Sequence, residues 1–262
     1  MIIFKKGIFM GKIFITGGSG LIGSIVNKKL SKNHEIINLD LFESNINSSK
    51  TIIGNMNNFE DVLSGSKDCS AIIHLGAVIE VNTSWELVLK NNFESTRNVY
   101  ESARLNNIDK VIFASSNHAV GLFENDSPYK DIVKGNYDGL DPQNIPIIDH
   151  NVPIRPDSYY GISKAYGESL GRYYYEKFNI QSINLRIGTV QKIDTPKNSV
   201  RHFATWLAHD DIAQLVEKSI DNKLGFEIFY GVSNNKWRFW DIKNAYNKIG
   251  YEPTENAENY RK

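Results

Sequence analysis

The feature that most constrains the fold lies near the N-terminus. Lys12-Ile-Phe-Ile-Thr16 is an apolar run of strand length, followed by Gly17-Gly-Ser-Gly20-Leu-Ile-Gly23 and then by Ile25, Val26 and Leu30. A buried strand that turns through glycines straight into a helix must send the chain back across a sheet face, because the next parallel strand starts at the same end as the first. Gly17 permits the tight turn, Gly20 lets the backbone approach a pyrophosphate, and Gly23 lets helix and strand pack closely with the helix N-terminus facing the anion.

The rest of the chain repeats the alternation. Further apolar runs occur at Glu35-Ile-Ile-Asn-Leu39, Lys50-Thr-Ile-Ile-Gly54, Ala71-Ile-Ile-His-Leu75, Lys110-Val-Ile-Phe-Ala114 and Ser182-Ile-Asn-Leu-Arg186. Amphipathic stretches separate them: a polar helix near 59–63, a long one over 85–105 and one through Tyr160. This predicts an α/β fold, a Rossmann-type doubly wound parallel sheet covered on both faces. Residues 10–188 are expected to form the dinucleotide-binding domain and 189–262 a short C-terminal part that meets the substrate. Within the first, 123–157 is rich in Pro, Gly, Asn and Asp and too long for a simple connection. Two readings are open for it: a lid or substrate loop beside the site, or a disordered surface insertion.

Asp40 ends the second strand where a carboxylate accepts both adenosine ribose hydroxyls and repels a 2′-phosphate. Leu41 and Phe42 follow it with no adjacent arginine, so NAD is expected rather than NADP. An ordinary turn residue at a strand end is the other reading of Asp40. Tyr160 and Lys164 stand four apart, on one face of a helix, where they can share a ligand. A nearby ammonium stabilises phenolate and can make the tyrosine a proton acceptor, as oxidation of an alcohol needs.

Composition limits the alternatives. Lys plus Arg equals Asp plus Glu at 30 each, which gives no bulk attraction to nucleic acid or membrane. The single cysteine, Cys69, excludes an internal disulfide, and with scattered histidines it disfavours a zinc site, so no metal is expected. No apolar stretch reaches the roughly 20 residues of a membrane span, and the opening residues lack a signal-peptide core. A cytoplasmic location is expected. Met10 is an alternative start, since the first strand begins just after it.

Taken with Phe113-Ala-Ser-Ser116-Asn117-His118, Arg155-Pro-Asp-Ser-Tyr-Tyr160-Gly-Ile-Ser-Lys164, Leu185-Arg-Ile-Gly-Thr189, Thr205-Trp-Leu-Ala-His-Asp-Asp211, Tyr230-Gly-Val-Ser-Asn234 and Trp240-Asp241, the sequence resembles the extended short-chain dehydrogenase/reductase (NAD-dependent epimerase/dehydratase) superfamily over nearly its whole length. Within it, the resemblance is to the branch of uronate dehydrogenases and haloarchaeal NAD-dependent glucose-6-phosphate dehydrogenases. It implies that Ser116, Tyr160 and Lys164 are catalytic: Ser116 bonds the reacting sugar oxygen, Tyr160 takes the proton of the C1 hydroxyl, and Lys164 holds the nicotinamide ribose. It implies NAD contacts from Gly17, Gly20, Leu21, Ile22, Gly23, Asp40, Asn55, Met56, Leu75, Gly76, Ala77, Asn92, Tyr160, Lys164 and Ile187. Asn117, His118 and Thr189 would meet sugar hydroxyls, and Arg201 would clamp a substrate carboxylate. The implied reaction is oxidation of an anionic pyranose to its aldonolactone.

Some positions depart from that pattern. Ile79 stands where uronate dehydrogenases have a substrate-binding serine, and Asn55 replaces an acidic residue near the adenine. The longer insertion carries Lys130 and Lys134, which either meet a phosphate or are solvated loop charges. A glucose 6-phosphate or aldose dehydrogenase is therefore an alternative. A nucleotide-sugar epimerase would use the same trio but needs more chain after Thr189. A dinucleotide sensor without chemistry is the non-enzyme alternative, and retention of the trio argues against it. Relatives often pair through the tyrosine-bearing helix, so a homodimer is expected by analogy.

Overall fold

The computed structural model describes residues 11–44 and 49–261; Met10 lies outside them. Among the described residues, β1 (Lys12–Thr16), β2 (Glu35–Asp40), β3 (Ser49–Ile53), β4 (Ala71–His74), β5 (Lys110–Ser116), β6 (Gln181–Ile187) and β7 (Phe226–Gly231) form one sheet. Their order is β3-β2-β1-β4-β5-β6-β7 and every pair is parallel. The central strands are apolar on both sides because both faces are covered; Val111, Ile112, Ile183 and Leu185 are fully enclosed. The expected doubly wound sheet is thus present.

The helices are α1 (Leu21–Leu30), α2 (Phe59–Gly65), α3 (Trp85–Val88), α4 (Ser95–Leu105), α5 (Tyr129–Lys134), α6 (Tyr159–Phe178), α7 (His202–Thr205), α8 (His209–Asp221) and α9 (Lys243–Ile249). Val26 and Leu30 of α1 pack with Ile212, Leu215 and Val216 of α8 and with Ala245 and Ile249 of α9 on one face. Val62 of α2, Val99, Tyr100 and Ala103 of α4 and Tyr174 of α6 cover the other. The long helix expected over 85–105 is interrupted by a π turn, Leu89–Glu94, between α3 and α4. Such turns admit one extra residue and swing a side chain out of helical phase; here the buried side chain is Asn92.

The structure removes one of the two open readings of the insertion. Residues 123–157 are not a disordered excursion: Tyr129, Ile132, Ile145 and Ile148 form a third apolar core with Tyr230, Trp237, Phe239 and Trp240. The Ile148 amide donates to the Phe239 carbonyl (2.8 Å) and the Asp241 amide to the Ile148 carbonyl (3.1 Å). These aromatic residues lie beyond β6, so the insertion and the C-terminal segment bury one another. β7 in turn pairs with β6 over its own whole length, Ser182 to Phe226 through Ile187 to Gly231, so the segment after 188 contributes to the sheet as well as to its rim.

Candidate active site

The strand order reverses between β1 and β4, and ligands of open α/β sheets collect at the carboxyl ends of the strands beside such a switch point. A cleft of about 790 Å³ opens there. Its first wall is the glycine turn. Gly17 has φ +72°, and a Cβ on it would sit 2.7 Å from the Gly76 amide nitrogen at the end of β4. A Cβ on Gly23 would lie 2.3 Å from the Gly17 carbonyl oxygen, so helix and turn fit only with glycine. At Gly20 the nearest protein atom to such a Cβ is 3.2 Å away, far less crowded. Gly20 caps α1 without a side-chain bond, leaving a helix N-terminus that faces the cleft. That combination fits a dinucleotide pyrophosphate.

Asp40 closes the same end. Its carboxylate accepts from the amides of Ser19 (2.9 Å) and Leu41 (2.7 Å), which fixes it beside the turn on the cleft wall. A carboxylate oxygen has further lone pairs for hydroxyls. Leu21, Ile22, Asn55, Met56, Leu75, Gly76, Ala77 and Ile187 line the same cleft. Asn92 does not. Its amide donates to the Val78 carbonyl (2.9 Å) and Ser163 Oγ (3.0 Å), and its Oδ1 accepts from the Val78 amide (2.8 Å). It braces the loop after β4 against α6 from behind the wall, where the π turn puts it.

At the other end of the cleft β5 delivers Ser116 and α6 delivers Tyr160 and Lys164, all three buried. Ser158 caps α6, accepting from the Gly161 amide at 3.0 Å, and this fixes the helix start one residue before Tyr160. Lys164 Nζ stands 5.0 Å from the Phe113 ring centre and 5.3 Å from that of Tyr160. Here the electrostatics differ from expectation. Burial pushes the Tyr160 phenol up to about 12; the Ser116 hydroxyl opposes this and the Asp157 charge adds to it. Burial also pulls the Lys164 ammonium down to about 7. Both ions are kept from water, so the lysine alone does not bring the phenol toward neutrality.

The residues expected to meet the sugar gather beyond the trio. Asn117, His118, Thr189 and Arg201 line the cleft. His118 Nδ1 meets Asp157 Oδ2 at 2.6 Å and its ring lies edge-on to Tyr160, centres 5.6 Å apart. Burial raises the Asp157 carboxyl, but hydrogen bonding and charge from His118 outweigh it and hold it below its usual value. Arg201 is paired with Glu124, which the expected clamp did not include. Ile79 lines the cleft and is largely exposed, offering no hydrogen bond. Lys130 and Lys134 of α5 are exposed and do not line it, which favours the solvated reading of these lysines.

Sequence reading missed several groups. Glu168 follows Lys164 by one turn of α6 and holds Arg186 of β6 by two bonds of 2.8 Å, both nearly inaccessible, while Ser115 donates to Glu168 at 2.6 Å. This cluster fixes β5, β6 and α6 together directly behind Ser116. The helical spacing of Lys164 and Glu168 is visible in the sequence, but the partner on β6 is not. Glu124 and Asp157 lay in the irregular insertion and carried no periodic signal.

Residues 13–214 match the NAD dependent epimerase/dehydratase family. The chain belongs to that family. It is 31% identical to a uronate dehydrogenase of Agrobacterium fabrum, over 97% of this chain and 88% of the relative. It is 29% identical to an NAD-dependent glucose-6-phosphate dehydrogenase of Haloferax volcanii, over 95% of each. Among solved structures it resembles a mutant uronate dehydrogenase of Agrobacterium tumefaciens complexed with NAD, with a TM-score of 0.80 and 28% identity over 95% of this chain and 87% of that one. The family, its fold and its branch are those expected from the motifs.

Proposed function

We propose that the protein is an NAD-dependent sugar dehydrogenase that oxidises the C1 hydroxyl of a pyranose, a hexuronate foremost, to the aldonolactone. One observation carries the reading: Ser116, Tyr160 and Lys164 share one cleft with the glycine turn and Asp40 at one end and Asn117, His118, Thr189 and Arg201 at the other. Residues up to 188 supply the cofactor contacts in this reading, and Thr189 and Arg201 come from the segment after it.

Bound NAD supplies the hydride acceptor for C1 and a positive pyridinium charge. Tyr160 takes the hydroxyl proton, and Ser116, which already interacts with the phenol, donates to the developing C1 oxygen. Lys164 in its ammonium form holds the nicotinamide ribose. Because burial keeps Tyr160 high and Lys164 low, proton abstraction depends on positive charge gathering around the phenol when the complex assembles. Asn117 and His118 orient the ring hydroxyls, with Asp157 fixing the imidazole.

The test is NADH formation from galacturonate, glucuronate, glucose 6-phosphate and free aldoses with NAD. Sustained NADH from any sugar supports the dehydrogenase; epimerisation of a nucleotide sugar without net NADH, or cofactor binding with no turnover, replaces it with an epimerase or a sensor. The outer face of α6 carries exposed Tyr159, Ile162 and Tyr173, and we place a homodimer contact there. Among the described residues no helix is long and apolar enough to cross a membrane; a cytoplasmic location belongs to the same proposal.

A further inference from the structure

Arg201 lines the sugar end of the cleft, yet its fork is largely engaged. Nε donates to Glu124 Oε2 at 2.6 Å and Nη2 to Oε1 at 2.7 Å, a two-point pair. Nη1 reaches the hydroxyls of Thr189 (3.2 Å) and Thr205 (3.4 Å), which also bond each other at 2.9 Å. The side chains of Arg201 and Glu124 are 26% and 13% exposed, so water screens the pair poorly. Glu124 is outside the cleft lining, and the Asn117 amide at 3.5 Å steadies it further. His118, also at this end, is already bonded to a carboxylate, Asp157 Oδ2, at 2.6 Å. The sugar end therefore presents polar groups whose charge is already compensated.

We infer that this end accepts an uncharged pyranose as well as a hexuronate, and that Glu124 sets the discrimination between a carboxylate and a hydroxymethyl group at C5. The inference rests on the proposed dehydrogenase reading, in which the C5 substituent faces Arg201. A substrate carboxylate there must share one guanidinium with Glu124, and two carboxylates held together in a half-buried site repel. A hydroxymethyl group meets no such conflict, since its oxygen accepts from the remaining Nη2 hydrogen and its proton goes to Thr189 Oγ1 or to Glu124. The chemistry at C1 is unchanged: either sugar would give its C1 hydride to NAD and lose its own C1 hydroxyl proton, so that sugar and NAD become lactone, NADH and one released proton.

The experiment is calorimetric titration of glucuronate against glucose, and galacturonate against galactose, into the NADH complex, where no turnover occurs. Wild type, Glu124→Gln and Glu124→Ala are compared, with thermal melting and NADH affinity as the check on folding; Ala gives the same reading if the amide side chain rearranges. The wild type is expected to bind acid and neutral partner within about tenfold of each other, and both variants to shift the ratio toward the acid by about tenfold or more. A wild-type preference for the acids beyond that, an unchanged ratio in both variants, or binding of neither partner overturns the inference. NADH formation with NAD in the same mixtures separates the two readings. Turnover with an unmoved ratio removes the role of Glu124 alone, and a moved ratio without turnover removes oxidation alone.

Discussion

Burial displaces Lys164 and Tyr160 in opposite directions in the free cleft, and the sign of each displacement can be measured. With its pKa near 7 when folded against the ordinary 10.5, Lys164 binds its proton less readily in the folded protein than in the unfolded chain. Below pH 7 both states carry the ammonium and the full burial penalty acts. Between 7 and 10.5 the folded state sheds the proton first, the unfolded state holds more protons, and the penalty fades as pH rises. Lys164→Met is therefore expected to melt higher than wild type at pH 7, with the advantage shrinking toward pH 10, while losing turnover; a pH series of thermal melts checks this. Tyr160→Phe keeps the ring and removes the base. Turnover should fall by about 10²-fold or more, the scale of lost acid–base catalysis, with NAD affinity changed only severalfold. Full activity in that variant would disprove the assigned base.

α6 does two tasks at once. Its first turns present Tyr160 and Lys164 to the cleft, and its next turn places Glu168 against Arg186 and Ser115, so a displacement of β5 against α6 would be felt at Ser116. The pair is 2–3% exposed, and removing one member strands the other charge without solvent. Glu168→Gln is expected to cost about 3–5 kcal/mol in denaturant unfolding. The double change Glu168→Gln with Arg186→Met should recover part of it, because no unpaired ion remains; an additive double variant would show that the ion pair is not what fixes these elements. The Tyr160–Lys164 spacing of α6 was legible because helix periodicity is local, as was the glycine turn, in which Gly20 and Gly23 answer to their own βα unit while Gly17 also meets Gly76 after β4. Asn92 was legible only as a residue: its displacement behind the wall follows from the π turn, which no pattern in 85–105 announced.

At the scale of the molecule, the insertion holds the substrate side together. Ile148 and Trp240 join in a parallel bridge, and Trp240 stacks on Tyr230 with ring centres 5.2 Å apart, fully enclosed. Trp240→Ala should cost about 3–5 kcal/mol, as large aromatic truncations in a core do. Urea unfolding reads that loss, and steady-state kinetics should show a weakened sugar end as a rise in KM for sugar larger than any change in NAD affinity. A near-silent variant would return 123–157 to the status of a surface excursion. The composition of that segment, rich in Pro, Gly, Asn and Asp, describes its backbone turns well but not its few apolar anchors, which gain meaning only from the aromatic residues a hundred positions away.

Order along the chain was enough for six of the seven strands among the described residues, for the glycine turn and for Tyr160 and Lys164 on one helix face, because each depends on neighbours within one strand, one helix or one turn; β7 had no such reading and follows from its pairing with β6. The tertiary structure alone decided which charges meet. Arg201 was identifiable as a cation suited to an anion, but its partner Glu124 comes from another segment, and the protonation of Tyr160 and Lys164 depends on how much water the assembled walls exclude. Electrostatic energy follows distance and solvent in three dimensions, and neither is written in the spacing of residues.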